Sequence, residues 1–391
     1  MSFRLVFALL AAAMLGSCGG DSAPSPAPPT VVTPPPKVIP VNVTFSADSV
    51  ELIDDLTSTE VPFTVSPANV DSTGLAFSTS DQRVFTVDNR NGLQVTAVAR
   101  GSARLIATHN GVEVGSLPIE VRDVRMYSIG NSHTVNFGVR EGFSRFAYSL
   151  GIGIDGDYHI YCGQSLTRIL AEPDNTCVSP KKAKFRTAFQ DTAYDIVTIQ
   201  TFPGVATAEE EARSVGAMIA HIRQSASSEA RIFVYVTWPP NTAAILADFD
   251  YSASWRQGGF DPMTGRPTTQ AFSDYLETYL SQEGIAVDGF IQGGRMLALL
   301  HDRAASGEIP GLHGAGLLYR DTLHVTNIGR YYMGATVIYN LFPEASVVGT
   351  DLPNIPGYSR DGRYPADMDW NAELHSALIS LLEENARQPD R

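Results

Sequence analysis

Two segments far apart in the chain carry residue types that do nucleophilic chemistry together. The first is Ile129-Gly130-Asn131-Ser132-His133-Thr134, which follows an apolar run beginning at Val124. A serine on a tight turn between a strand and a helix is presented at the carboxyl edge of a sheet. Gly130 permits such a turn, and the Ser132 N–H, at a helix start, is placed to stabilise an oxyanion. Alone this signal is weak, because serine is a common helix N-cap. The second segment is Arg320-Asp321-Thr322-Leu323-His324, on a loop entering a helix. A carboxylate three residues before a histidine can accept a hydrogen bond from imidazole Nδ1. Nε2 is then free to take a proton from a serine hydroxyl. The alternative for His324 is a buried structural histidine near a helix start. Taken together, Ser132, His324 and Asp321 have the types and order of a nucleophile, its base and the group that orients the base.

These residues need a scaffold that brings positions 132 and 324 to one edge. From Val124 onward, strand and helix patterns alternate. Val124–Ile129 reads as a buried strand and Phe137–Leu150 as a helix. Asp195–Ile199 is a strand, and Thr207 with Glu210 forms a capping box before a helix over Ala212–Arg223. Arg231–Thr237 is a strand, Thr268–Gln282 a helix, Val287–Ile291 a strand and Met296–Ala305 a helix. Helices over Thr326–Leu341 and Asn371–Asn385 complete the series. Such alternation predicts an α/β fold, a parallel sheet with helices on both faces. Ligands then bind outside the carboxyl ends of the strands.

Ahead of this, over residues 41–122, the period is two. Val41, Val43 and Phe45 alternate with polar residues, and Asn91-Gly92 and Asn110-Gly111 read as hairpin turns. Short strands without helical stretches predict a small all-β sandwich. From Gly19 to Pro40, prolines at 24, 26, 28, 29, 34, 35, 36 and 40 exclude a helix and favour extended polyproline II, as in a tether. The first residues give a basic Arg4 and an apolar run over Leu5–Leu15, shorter than the about 20 residues needed to span a bilayer. Leu15-Gly16-Ser17-Cys18 resembles the lipobox of bacterial lipoproteins, which implies lipidation of Cys18 and a lipid-anchored address in the cell envelope. Gly19 is not the Asp associated with inner-membrane retention, which points to the outer membrane. The expected organisation is therefore a signal segment over 1–18, a linker over 19–40, a β-sandwich over 41–122 and an α/β domain over 123–391.

The full chain has 391 residues, 43% hydrophobic and 18% charged, with a formal net charge of -14 and a pI near 5.0. That acidity disfavours nucleic acid and an anionic membrane surface as partners, so membrane contact is expected only through the lipid anchor. With Cys18 lipidated, Cys162 and Cys177 remain. In an oxidising compartment they can form a disulfide; two free buried thiols are the alternative. Two cysteines without histidines at ligand spacing do not make a zinc cage. With no P-loop and no dinucleotide fingerprint either, no metal and no cofactor are expected.

Gly130-Asn131-Ser132 early, Gly163 in Tyr161-Cys162-Gly163-Gln164-Ser165, and Asp321-x-x-His324 late resemble the SGNH (GDSL-like) hydrolases over about 125–345. The resemblance implies a flavodoxin-like sheet and esterase or deacylase chemistry; the envelope address and the adhesin-like character of residues 41–122 point to an acylated carbohydrate, or another small ester, as the substrate. Ser132 would be the nucleophile and an oxyanion donor, Gly163 a second N–H donor, His324 the base and Asp321 its partner. Residues 41–122 resemble bacterial immunoglobulin-like domains of surface adhesins, here a spacer or a weak contact module. Two positions depart from the family. Asn131 stands where an Asp is usual. The third family block, Gly-x-Asn-Asp, is replaced by Gln200-Thr201-Phe202-Pro203, so the oxyanion hole is expected to use the Gln200 amide or the Thr201 hydroxyl. On that expectation, Gln200→Glu is worse than Gln200→Ala. The rival class is a glycan- or surface-binding lipoprotein with a catalytically weakened fold. Among the remaining candidates, His133 is expected to wall the pocket. Trp238 would either stack on a sugar or sit in the core. Asp157 and His159 take no role, and Glu209–Glu211 form a solvated helix start.

Overall fold

In the computed structural model of the chain, the described residues are 40–139, 142–202, 205–243, 248–257, 269–347 and 372–385. The signal segment, Cys18 and nearly all of the proline-rich tract lie outside them.

The amino-terminal part is all-β. Its strands are β1 (Asn42–Phe45), β2 (Val50–Ile53), β3 (Ser58–Glu60), β4 (Phe63–Ser66), β5 (Leu75–Thr79), β6 (Phe85–Asp88), β7 (Gln94–Ala97), β8 (Gly101–His109) and β9 (Val112–Arg122). They form three small sheets, β1-β4, β2-β9-β8-β5 and β3-β7-β6. Alternate residues point inward, so Leu52, Phe85, Val95, Leu105, Leu117, Ile119 and Val121 make a separate apolar core. The β8–β9 hairpin closes through Asn110 and Gly111, with φ of 50° and 80°. Both are left-handed, as a type I′ turn requires.

Only Asp123 separates β9 from β10 (Val124–Gly130). Then come α1 (Ser132–Asn136), α2 (Phe143–Ser149), β11 (Ile154–Ile160), α3 (Leu166–Ala171), α4 (Phe185–Ala188), β12 (Ile196–Gln200), α5 (Ala208–Arg223) and β13 (Arg231–Val236). The chain continues through α6 (Tyr251–Gln257), α7 (Gln270–Gln282), β14 (Gly289–Gln292), α8 (Gly293–Ala305), α9 (Asn327–Leu341) and α10 (Ala372–Asn385). Among the described residues, the helix expected over Phe137–Leu150 is confined to α2: α1 ends before it at Asn136, Gly138 follows at φ 88°, and Gly142 stands before α2.

The five strands β11-β10-β12-β13-β14 form one all-parallel sheet. Counted along the chain, their order is 2-1-3-4-5, a doubly wound, flavodoxin-like arrangement. Every residue of β12 is buried, as both faces of a covered sheet demand. The order reverses at β10. The chain leaves β10 toward β11 on one side and returns to β12 on the other. The turns after β10 and β12 therefore flank the crevice where such sheets take ligands. Arg122, at the end of β9, ties the opposite, amino end of the sheet, where Asp195 leads into β12. Its guanidinium meets both oxygens of Asp195 at 2.6 and 2.8 Å, and Glu51 of β2 at 2.7 Å.

Helix α5 begins with a complete capping box between Thr207 and Glu210. Its acidic start is only partly solvated, because the Glu211 side chain is buried. Among the described residues, no helix is long and apolar enough to cross a membrane.

Candidate active site

The turn after β10 is built around Ser132. Asn131 caps α1: its Oδ1 accepts from His133 N at 2.9 Å, and its Nδ2 donates to Gln164 O at 3.0 Å. An aspartate could make only the first of these bonds, so asparagine ties this turn to the loop after β11. Gly130 is required by space. A Cβ there would come within 2.3 Å of Thr134 Oγ1 and 2.6 Å of Gln200 Oε1.

The other half of the site lies on residues 319–325. Tyr319 bridges Val325, and Arg320 N donates to His324 O at 2.8 Å, which folds Asp321 back onto His324. His324 Nδ1 lies 3.0 Å from both Asp321 oxygens, and Leu323 N and His324 N donate to Oδ1 at 2.9 and 2.8 Å. Desolvation would raise the Asp321 pKa. The hydrogen bonds from the His324 and Leu323 backbone and the imidazole outweigh it and hold the carboxyl down to about 2. Asp321 is thus a carboxylate at any working pH. The loop is anchored to the segment after β13. Trp238 Nε1 donates to Leu323 O at 2.9 Å, Asn241 N to Thr322 O at 2.8 Å and Tyr319 OH to Pro239 O at 2.8 Å.

Across the crevice, His324 Nε2 stands 2.9 Å from Ser132 Oγ. Hydrogen bonds therefore run without a break from Ser132 through the imidazole to Asp321. The Ser132 and His324 side chains are both half-buried, reachable from solvent yet shielded.

Gly163 lies on the loop after β11, exposed and at φ +66°, with open space around its α-carbon. Neither its N–H nor that of Ser132 has an acceptor among the described residues. The preceding residue, Cys162, is disulfide-bonded to Cys177, with Cα atoms 5.7 Å apart. The loop that carries Gly163 is thereby stapled to residue 177.

Gln200 does not take the orientation expected of an oxyanion donor. Its Oε1, not its amide nitrogen, faces the nucleophile turn. It accepts from Asn131 N (2.9 Å), Thr134 N (3.2 Å) and Thr134 Oγ1 (2.9 Å). Two of these partners are backbone N–H groups, so only the carbonyl end can sit there. The Nε2 donates to Thr201 O at 2.7 Å. Gln200 is an internal brace of the turn. The Thr201 hydroxyl is buried and donates to Tyr235 O at 3.4 Å, so it is not in the crevice either.

Trp238 is also displaced from one expected role. It is buried and stacks on His133, with centroids 4.8 Å apart and planes at 9°, leaving no face for a sugar. His133 lies behind the catalytic candidates rather than on an open wall. Phe202 meets it edge-on at 5.3 Å and His324 at 6.1 Å, and among the described residues neither ring nitrogen has a hydrogen-bond partner. Asp157 accepts from the backbone of Tyr158, Lys181, Lys182 and Ala183 and so pins the loop after residue 178.

Burial, with His324 adding repulsion, pushes the His133 pKa from 6.5 down to about 3. The unfolded chain thus binds more protons than the folded one between those two pH values, and stability falls as pH drops through that window. Denaturant unfolding at pH 7 and pH 5 is expected to show a smaller loss for His133→Phe than for the parent. Equal losses would mean that His133 is not held neutral by the fold.

No protein-family model matches the chain, and no curated protein matches it. Solved structures do. A DUF4886 family protein from Bacteroides uniformis is similar at 15% identity and a TM-score of 0.44, over 68% of this chain and 97% of that one. A member of the lipolytic protein G-D-S-L family from Veillonella parvula is similar at 12% identity and a TM-score of 0.35, over 56% and 99%. A GDSL-like lipase from Bacteroides thetaiotaomicron is similar at 15% identity and a TM-score of 0.29, over 56% and 85%. Likenesses this distant assign no chemistry to the chain, whose function must be read from its own geometry.

Proposed function

We propose that the chain is a serine hydrolase that cleaves ester bonds through Ser132, His324 and Asp321. The unbroken line of hydrogen bonds from Ser132 Oγ to Asp321 carries this reading. His324 Nε2 takes the hydroxyl proton as Ser132 Oγ attacks the acyl carbon. Asp321 holds the tautomer in which Nδ1 bears hydrogen, and it stabilises the imidazolium that forms. The N–H groups of Ser132 and Gly163 stabilise the oxyanion. His324 then protonates the leaving alcohol, and the acyl-enzyme is hydrolysed by water with His324 again as base.

The substrate we favour is an acylated carbohydrate met outside the cytoplasm, with the protein held by a lipid on Cys18 in the outer membrane. Residues 41–122 then serve as an immunoglobulin-like spacer for the hydrolase domain over 123–391. The envelope address read from residues 1–18 and the exposed disulfide beside Gly163 support an extracytoplasmic setting. The rival is a glycan-binding lipoprotein with weakened catalysis, favoured by the absence of a side-chain oxyanion donor at Gln200.

The test is turnover of short acyl esters and acetylated glycans, together with covalent labelling by a fluorophosphonate. Ser132→Ala is expected to abolish labelling and to lower turnover by at least about 10³-fold. A parent that neither labels nor turns over any ester, yet binds glycan, would overturn the hydrolase reading.

A further inference from the structure

Glu211 is a fully buried carboxyl group that belongs to none of the roles above. It sits in the first turns of α5 and reaches two separate loops. Its Oε1 accepts from Leu166 N at 2.8 Å, and its Oε2 accepts from Phe202 N at 2.7 Å. Leu166 opens α3, directly after Gly163-Gln164-Ser165. Phe202 follows Gln200 and Thr201 at the end of β12, and its ring rests on His133. Because β11 and β12 lie on either side of β10, these two loops flank the Ser132 turn from opposite sides.

A carboxyl group is an expensive choice for such a place. Burial pushes its pKa up to about 8, opposed by the backbone N–H groups of Phe202, Leu166 and Thr167. An apolar residue would avoid that cost but would leave those backbone N–H groups without their acceptor, at about 1–3 kcal/mol for each one that is buried. No single-acceptor side chain of this length can satisfy both loops at once. The two carboxyl oxygens fix the loops relative to each other, and therefore fix Gly163 relative to Ser132.

Resting on the hydrolase reading above, we infer that Glu211 is a positioning residue of the active site: it clamps the Gly163 loop to the Phe202 loop and so sets the geometry of the oxyanion hole. It touches no reacting atom. Its effect should appear in the rate of the chemical step, since displacement of a donor by about 1 Å can cost about 10²-fold.

The experiment uses the full chain and a fluorophosphonate, whose attack by Ser132 needs the oxyanion hole but no knowledge of the natural substrate. The maximal labelling rate and the concentration giving half of it are measured for the parent, Glu211→Gln and Glu211→Ala. Ser227→Ala is the control. It removes a buried hydroxyl that donates to Thr192 O and accepts from Tyr194 N, both at 2.9 Å, ahead of β12 at the amino end of the sheet and away from the loops. Glu211→Gln keeps the volume but offers one acceptor to two N–H groups. Its maximal labelling rate is expected to fall about 10-fold, and that of Glu211→Ala about 10²-fold, with the half-saturating concentration changed less than about threefold. Ser227→Ala is expected to lower the melting temperature while labelling within about twofold of the parent. Folded Glu211→Gln that labels at the parent rate would overturn the inference while leaving the hydrolase reading intact. So would a rate loss that Ser227→Ala reproduces at equal loss of melting temperature. A parent that does not label at all would remove the hydrolase reading and this inference with it.

Discussion

Asp321→Asn is expected to lower kcat on a short acyl ester by about 10⁴-fold while KM changes little. The reason lies in which atom carries the proton. Asp321 Oδ1 accepts from the Leu323 and His324 backbone, and asparagine can present its carbonyl oxygen to the same two donors. The amide nitrogen then faces Nδ1, where Asp321 Oδ2 now stands at 3.0 Å. An NH₂ group donates to Nδ1 and drives the imidazole hydrogen to Nε2. That nitrogen faces Ser132 and can no longer accept its proton. The loop should still fold, because both backbone N–H bonds survive, and the melting temperature of Asp321→Asn should stay close to that of the parent. Large loss of kcat with stability retained is the signature of a wrong tautomer. A decrease of less than about 10-fold would show that His324 does not depend on Asp321 for its protonation state, against the proposed division of roles.

The sequence exposed the parts of this site that depend on neighbours along the chain. Asp321 and His324 are three residues apart, so a tight turn suffices to join them, and the spacing alone suggested the contact. Ser132 was marked by its place between an apolar run and a helix start. The capping box at Thr207 was legible for the same local reason. What stayed hidden depends on which way a side chain turns once the sheet has formed. An amide has a donor end and an acceptor end, and nothing in Gln200-Thr201 says which faces the neighbouring turn. That is settled by the unsatisfied N–H groups of Asn131 and Thr134, which belong to a different strand connection. Glu211 was hidden because three consecutive glutamates at a helix start look uniformly solvated. A helix turns by about 100° per residue, so one of the three can point inward. Trp238 was ambiguous between ligand platform and core until its indole was seen donating to Leu323 O beneath His133. The helix expected from Phe137 begins only at Phe143, because Gly138 ahead of it takes a left-handed backbone that outweighs the apolar spacing around it.

Gln200→Ala and Gln200→Glu should separate brace from donor. If the side chain served as an oxyanion donor, the carboxylate would be the worse variant, since it would set a negative charge against a developing one. The observed contacts reverse that order. Alanine removes the acceptor shared by Asn131 N, Thr134 N and Thr134 Oγ1, all within 3.2 Å of Oε1. Each buried donor left unsatisfied costs about 1–3 kcal/mol, and the Ser132 turn would relax away from its place opposite His324. Gln200→Ala is therefore expected to lower the melting temperature by several degrees and kcat by about 10²-fold. Glutamate keeps the acceptor oxygen. When protonated, its hydroxyl can also replace the Nε2 bond to Thr201 O. Burial favours that neutral form by raising the carboxyl pKa. Gln200→Glu should then retain activity within about 10-fold of the parent at the acidic end of the assay range. Its advantage over Gln200→Ala should shrink as pH rises and the carboxylate is forced against the Thr201 carbonyl. Steady-state kcat for both variants, measured across pH beside the parent, decides the matter. Gln200→Glu falling below Gln200→Ala at every pH would restore the donor role and contradict the brace.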